Sequence, residues 1–321
     1  MNITPMQGRL YQAVPEYEDH LFAELQVVKQ LETQDALSPI GNILFYDTRD
    51  DSAPVFWQRN CWLKPFRAEF GSINEAAGAL RDIQRNWAVL PFTQFRRAAL
   101  IESKLPPISA KPRPFPWLLG NSPMGAWTLL DKHTMIASAE CSSPFPNGVI
   151  EFAQDKEGPP SRAYLKLWEA LVRLRSWPKE GDLCLDAGAS PGGWTWALSR
   201  LGAKVLAVDR APLEPAIAVM PGVEYVRHDA FTLKPEDIGP VDWLFCDVAC
   251  YPSRLYQWIE KWLESGLCGN FVCTIKMQGD SSSIDFETPR RFSAIPGGEV
   301  VHLYHNKHEL TWQKTDSRQP S

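Results

Sequence analysis

The 321-residue chain predicts an α/β protein in two parts: a C-terminal half built on a largely parallel sheet covered by helices, and an N-terminal α+β half. Three observations carry this. From about residue 161, short apolar runs alternate with helical patterns, as βαβ units do. An ionisable residue closes each of five such runs. The stretch "LDAGASPGGWTWAL" (185–198) turns the first of them into a helix through a bend of small residues.

In chain order, "GRLYQAV" predicts a strand, "PEYEDHLFAELQVVKQL" a helix, "NILFYD" a strand and "SINEAAGALRDIQRNWAV" a helix. "AWTLLDKHTMIASAE" predicts a hairpin about Asp131-Lys132. The polar, proline-rich "AQDKEGPPS" (153–161) sets a boundary, giving domains 1–152 and 153–321. Beyond it, "SRAYLKLWEALVRLRSW" has apolar residues at helical spacing, with Ser161 as its N-cap. The runs "DLCLDAG", "AKVLAVD", "VEYVRHD", "DWLFCDV" and "NFVCTIK" predict strands. "PSRLYQWIEKWLESG" places Leu255, Trp258, Ile259 and Trp262 on one helix face. "GEVVHLYHNKHELTWQK" predicts a terminal strand pair about Asn306-Lys307, and the tail "KTDSRQPS" is expected to fray.

Apolar residues make up 44% of the chain, yet no apolar run is long enough to span a bilayer and no secretory leader pattern opens it. A cytoplasmic protein without membrane or metal partners is expected. The seven cysteines show no C-x-x-C pairing and read as free thiols in a reducing compartment. "CDVAC" lacks the spacing of a redox pair. The net charge of −5 argues against a nucleic-acid partner, but residues 60–113 hold nine Lys/Arg against four Asp/Glu, a local +5. With Trp62, Phe66, Phe92 and Phe95 among them, that segment is either an RNA-facing surface or a solvated helix face over core aromatics.

Open parallel sheets bind ligands at the carboxyl ends of their strands. There the five runs place Asp186, Asp209, Asp229, Asp247 and Lys276, and so many ionisable groups converging on one crevice exceeds what helix capping alone explains. Gly188, Gly192 and Gly193 allow a sharp turn and close backbone approach at the start of a helix, which suits a nucleotide-type cofactor. Asp209 stands where an acid hydrogen-bonds ribose hydroxyls. "GASPGG" is not G-x-G-x-x-G, which counts against a dinucleotide. His302, His305 and His308, three apart on extended runs, point to alternating faces and do not form a metal site. By spacing alone, Arg162, Lys166 and Glu169 could be a solvated salt-bridge face.

The segments "LDAGASPGGWTWAL", "AVD", "RHDAF", "FCDV", "TIK" and "HEL" together resemble the FtsJ/RrmJ-type ribose 2′-O-methyltransferases. "PPSRAYLKLWEA" and "LYHNKHELT" are most similar to the RlmM-like branch acting on large-subunit ribosomal RNA. The resemblance covers about residues 161–312 and implies a Rossmann-like, S-adenosylmethionine-dependent methyltransferase domain. The N-terminal half resembles that branch's RNA-binding THUMP-containing region only through "GRLYQAVPEYEDHLFAEL". The family's Lys-Asp-Lys-Glu tetrad falls on Lys166, Asp247, Lys276 and Glu309. Its cofactor set falls on Asp186, Gly188, Ser190, Gly192, Gly193 and Trp194 for the methionine end, Asp209 for the ribose and Asp229 for the adenine. The chain departs from the family at Val248-Ala249-Cys250, usually Met-Ala-Pro, and in a short segment after Lys276.

The resemblance thus implies methyl transfer to an RNA ribose hydroxyl, with Lys276 as base or alkoxide stabiliser, its pKa lowered by burial and a second lysine. Lys166 and Asp247 would orient it, with a smaller part for Glu309. Methylation of a cap or a small molecule is the alternative. An NAD-linked oxidoreductase is disfavoured by the glycine pattern and by the lack of a hydride-handling His or Tyr.

Overall fold

Parity along the strands of the C-terminal sheet explains where its side chains go. The computed structural model describes residues 2–28, 37–40, 44–48, 53–109 and 111–316. The fraying expected from residue 314 is corrected for 314–316, where Lys314 pairs with Phe271 in the last strand and Thr315 and Asp316 bond Asn270. Residues 317–321 lie outside the described residues, as do the ends of the predicted helix over 15–31 and strand over 42–47. The chain divides into two units, 1–112 with 120–151, and 113–119 with 152–321.

The first unit contains β1 (Asn2–Pro5), β2 (Arg9–Ala13), α1 (Glu18–Val28), β3 (Leu37–Ile40), β4 (Leu44–Asp47), β5 (Gln58–Trp62), β6 (Pro65–Glu69), α2 (Ile73–Ile83), β7 (Trp87–Val89), α3 (Phe95–Glu102), β8 (Gly125–Leu129) and β9 (Thr134–Ser138). One sheet runs β1-β6-β9-β8-β7 and the other β3-β4-β2-β5. Alternation along β8 sends Trp127 and Leu129 into a core with Leu80, Ala98 and Ile101 from α2 and α3, and Ala126 into a second core with Leu10 and Trp62 of the other sheet. The predicted helix over 72–89 is corrected at its end. Ser72 caps α2 by accepting from the Glu75 N–H, but the helix stops at Ile83, and Trp87–Val89 is a strand beside β8. There the Trp87 Nε1 donates to the Leu80 carbonyl at 2.7 Å, so the ring closes the helix end instead of extending it.

The second unit contains α4 (Tyr164–Leu174), β10 (Leu183–Ala187), α5 (Gly193–Arg200), β11 (Lys204–Asp209), α6 (Pro215–Ala218), β12 (Val223–Arg227), α7 (Pro235–Ile238), β13 (Trp243–Cys246), α8 (Pro252–Ser265), β14 (Asn270–Lys276), α9 (Glu287–Ser293), β15 (Gly298–Val301) and β16 (Glu309–Lys314). Ser161 lies before the helix proper; Ala163 occupies the N-cap of α4, without a side-chain bond. The sheet order is β12-β11-β10-β13-β14-β16-β15, parallel from β12 to β14 and antiparallel thereafter. Strand order reverses between β10 and β13, which opens the ligand crevice at their carboxyl ends.

The terminal strand pair forms, but β16 inserts between β14 and β15, and 302–308 leaves the sheet. Lys276 pairs with Glu309 in the β14–β16 register, so both side chains leave the same face, the one where Glu309 meets Lys166 of α4. Trp312, of opposite parity, packs at a tilt against Phe292 of α9. Helices therefore cover both faces. The segment 113–119 belongs here because Arg113 bridges Phe152, Phe115 stacks on Trp168 with ring centroids 4.9 Å apart, and Arg175 donates to the Leu119 carbonyl.

Candidate active site

Four charged side chains from four elements meet on the α4 face of the sheet. Lys166 Nζ lies 3.4 Å from Asp247 Oδ2 and 2.5 Å from Glu309 Oε1. Lys276 Nζ lies 2.6 Å from Asp247 Oδ1 and 2.8 Å from Glu309 Oε2. Each lysine bridges both carboxylates, so the cluster is a closed ring of alternating charge. The solvated face expected from spacing is overturned for α4: Lys166 is 6% exposed and Glu169 1%. The helix turns these residues inward because the sheet edge offers them partners.

The lowered pKa expected for Lys276 is also corrected. Burial would lower it, but the carboxylates of Asp247 and Glu309 outweigh burial and hold it above the ordinary lysine value. Glu309, which burial alone would raise, is brought down to about 2 by Lys166 and Lys276. At neutral pH Lys276 is therefore an ammonium, its charge faced by both carboxylates.

Across the crevice the cofactor-side residues form a different kind of site. Asp186 is buried; its Oδ2 accepts from the Thr195 hydroxyl at 2.6 Å, while Oδ1 has no hydrogen-bond partner among the described residues. Burial pushes its pKa up to about 7 against the Thr195 bond, and Asp247 and Asp209 add to the rise. Gly188, at φ +81°, ends β10 against the loop after Asp247; a Cβ there would stand 2.6 Å from Val248 Cγ2. Gly192, at φ +117°, is the N-cap of α5, and Gly193 opens that helix. The Ser190 N–H donates to Asp209 Oδ2 at 3.0 Å and its hydroxyl to the Pro212 carbonyl at 2.8 Å, folding the bend onto the end of β11. Trp194 is buried edge-on to Phe245, and its Nε1 donates to Ala163, tying α5 to the start of α4.

Asp209 accepts the Ala211 N–H on its other oxygen at 2.8 Å. Asp229 caps the turn at Ala230–Thr232 through the Phe231 N–H, and its Oδ2 lies 3.2 Å from Arg210 and 3.3 Å from Arg254. The orphaned Oδ1 of Asp186 and the glycine-lined bend fit a ligand that brings a cation to β10, as the ammonium of S-adenosylmethionine does.

His302, His305 and His308 lie on the connection between β15 and β16, not on strands as their spacing suggested. His302 places its ring nitrogens 3.1 Å from the Leu303 carbonyl and 2.9 Å from that of Lys307. Among the described residues no group of three or more His, Cys, Asp or Glu is arranged to hold a metal, and the seven cysteines are free. No described helix is long and apolar enough to cross a membrane. Sequence reasoning passed over Thr195, the partner of Asp186, and Glu169, which binds the 302–308 connection. Thr195 had no signal; Glu169 was visible only as the third residue after Lys166.

The strand order, the glycine bend and the tetrad together define a Rossmann-like methyltransferase domain. Residues 159–281 match the family model for FtsJ-like methyltransferases. The chain is also 36% identical over 175 residues to the "Ribosomal RNA large subunit methyltransferase M" of Halorhodospira halophila, covering 52% of this chain and 50% of that protein. The protein of the same name from Azotobacter vinelandii is 33% identical over 190 residues, 55% of this chain and 53% of its own. This chain thus spans about half the length of these relatives.

Proposed function

We propose that the chain is a cytoplasmic, S-adenosylmethionine-dependent RNA methyltransferase that methylates a ribose 2′-hydroxyl in large-subunit ribosomal RNA. The observation that carries this reading is the closed Lys166–Asp247–Lys276–Glu309 ring beside the buried Asp186, whose Oδ1 has no hydrogen-bond partner among the described residues. Asp186 would hold the ammonium of the cofactor, Asp209 its ribose and Asp229 the adenine edge, with the bend from Gly188 to Gly193 against the methionine portion. When bound, the cofactor supplies a methyl group already attached to its leaving group.

The remaining work belongs to the protein: to align the hydroxyl oxygen with the methyl carbon and to stabilise the oxygen as its proton leaves. An ammonium can only donate, so Lys276 suits the second task, placing positive charge where the alkoxide develops. Asp247, 2.6 Å from that nitrogen, offers the departing proton a carboxylate. Lys166 holds Asp247 and Glu309 in place from the opposite side.

RNA contacts are assigned mainly to the domain 1–152, where α3 exposes Phe95 (62%), Arg96 and Leu100 (53%) together. Trp62, by contrast, is a core residue, and Arg97 lies over the Phe70 ring. The reading is tested by incubating the protein with labelled S-adenosylmethionine and unmodified ribosomal RNA, then digesting the RNA to nucleosides. A labelled 2′-O-methylnucleoside is expected. Label on a base, or none despite cofactor binding, would overturn it.

A further inference from the structure

Two residues one turn apart on α4 grip the same stretch of chain. Lys166 binds the side chain of Glu309, the first residue of β16. One turn later, Glu169 binds the connection that delivers Glu309: Oε1 accepts the Tyr304 N–H at 2.9 Å, and Oε2 accepts the His305 N–H at 3.1 Å and faces His305 Nδ1 at 2.8 Å. A carboxylate offers only lone pairs, so His305 Nδ1 carries the proton.

The connection is braced within itself. His302 Nε2 faces the Lys307 carbonyl, the Asn306 side chain and Thr311 exchange hydrogen bonds at 3.1 and 3.2 Å, and the Asn306 N–H donates to Leu303. Glu169 ties this braced connection to α4, one helical turn from Lys166, while the β14–β16 register holds Glu309 opposite Lys276. The Phe152 ring lies 5.6 Å from His305 and 5.5 Å from Trp168, and Phe115 stacks on the same tryptophan, so the contact is roofed by aromatics. A carboxylate buried to this degree is costly unless several donors converge on it, and three do.

We propose that Glu169 is a positioning residue of the tetrad: by anchoring residues 304–305 it sets Glu309 between Lys166 and Lys276. Its loss leaves the ring open on the Glu309 side. Among the described residues Lys276 then keeps Asp247 as its facing carboxylate, with Lys166 across the ring and Cys250 near it. The consequence for turnover rests on the methyl-transfer reading; the consequence for Lys276 does not.

The test uses the full chain carrying Glu169→Gln, with fold checked by circular dichroism and S-adenosylmethionine binding. Lysine acylation followed by mass spectrometry across pH reports how readily each amine loses its proton. Lys276 is expected to label roughly tenfold faster at a fixed pH than in the wild type, since one of its two facing carboxylates has withdrawn. The exposed Lys204 serves as the unchanged reference. Turnover on RNA is expected to fall roughly a hundredfold, with KM for RNA and cofactor affinity within about twofold, as a displacement of about 1 Å does. Glu169→Asp should recover part of both effects.

A folded Glu169→Gln protein with unaltered Lys276 labelling would overturn the proposal, as would a turnover loss no larger than its loss of folded material. Should that variant not fold, His305→Asn, which keeps both backbone donors, must show the same changes at smaller size. A wild type that methylates no RNA would sink the functional reading and leave the labelling to decide this one.

Discussion

The two carboxylate clusters of the second unit lie on either side of one crevice and solve the burial of charge in opposite ways. In the tetrad, two acids and two lysines neutralise one another, and Glu309 is held down to about 2. At the end of β10, Asp186 has a single hydroxyl partner; the charges acting on it, Asp247 and Asp209, are both negative, and its pKa is pushed up to about 7. The difference teaches where a ligand must bring charge. A charge-complete ring is prepared for chemistry, whereas a buried acid without a cation is prepared for binding.

The largest effect that would sharpen this contrast concerns Lys276. Lys276→Met should reduce methyl transfer by roughly a thousandfold, within the span general acid–base groups contribute. Lys276→Arg keeps a permanent cation and should retain ~1–10% of activity if the group acts by stabilising charge. Single-turnover rates with saturating RNA decide it. An arginine variant as inactive as the methionine one would instead make the neutral amine the working form.

The next effect separates both clusters from RNA capture. Neutralising Arg96, Arg97 and Lys111 together should weaken RNA affinity roughly tenfold or more at low salt and flatten its salt dependence, with cofactor binding unchanged. Filter binding over a salt series checks this, and an unaltered affinity would move the RNA surface elsewhere.

How far the sequence revealed this site depended on whether a residue's partner was near it in the chain. The parallel order could be read because each strand and its helix are local units, and the strand-end acids followed from counting along those runs. Spacing alone left Lys166 and Glu169 open to a solvated face, and only the family resemblance put Lys166 in the site, because helical spacing says which residues share a face, not what that face meets; the partners in β16 and its approach lie more than a hundred residues away. Trp87 was placed in a helix because its apolar spacing continues that of α2, while the β8 strand that captures it lies far downstream. The pKa of Lys276 was misjudged for a different reason: the resemblance supplied Asp247 and Glu309 as neighbours, but only their contact distances show that their charge outweighs burial.

Smaller effects probe the cofactor half alone. Gly188→Ala adds a Cβ 2.6 Å from Val248 at a positive φ, and should cost roughly tenfold in cofactor affinity and about 1–3 kcal/mol of stability. Calorimetry and thermal melts measure both. Asp186→Asn should act on stability through pH. The carboxyl of Asp186 is raised in the folded state, so the native protein binds more protons than the unfolded chain between about pH 4 and 7 and loses stability across that window as pH rises. The asparagine variant should therefore melt roughly 5 °C higher than the wild type at pH 8 without cofactor, with the gap closing toward pH 4. An equal gap at both pH values would mean that Asp186 is not held near pH 7.

Direct titration of S-adenosylmethionine into Asp186→Asn and Lys276→Ala, each compared with the wild type, tests the division between binding and chemistry most directly. Asp186→Asn is expected to lose about a hundredfold in affinity, because a neutral amide replaces the carboxylate that would meet the ligand's ammonium. Lys276→Ala should bind within about twofold of the wild type. Tight binding to Asp186→Asn, or a large loss in Lys276→Ala, would contradict it.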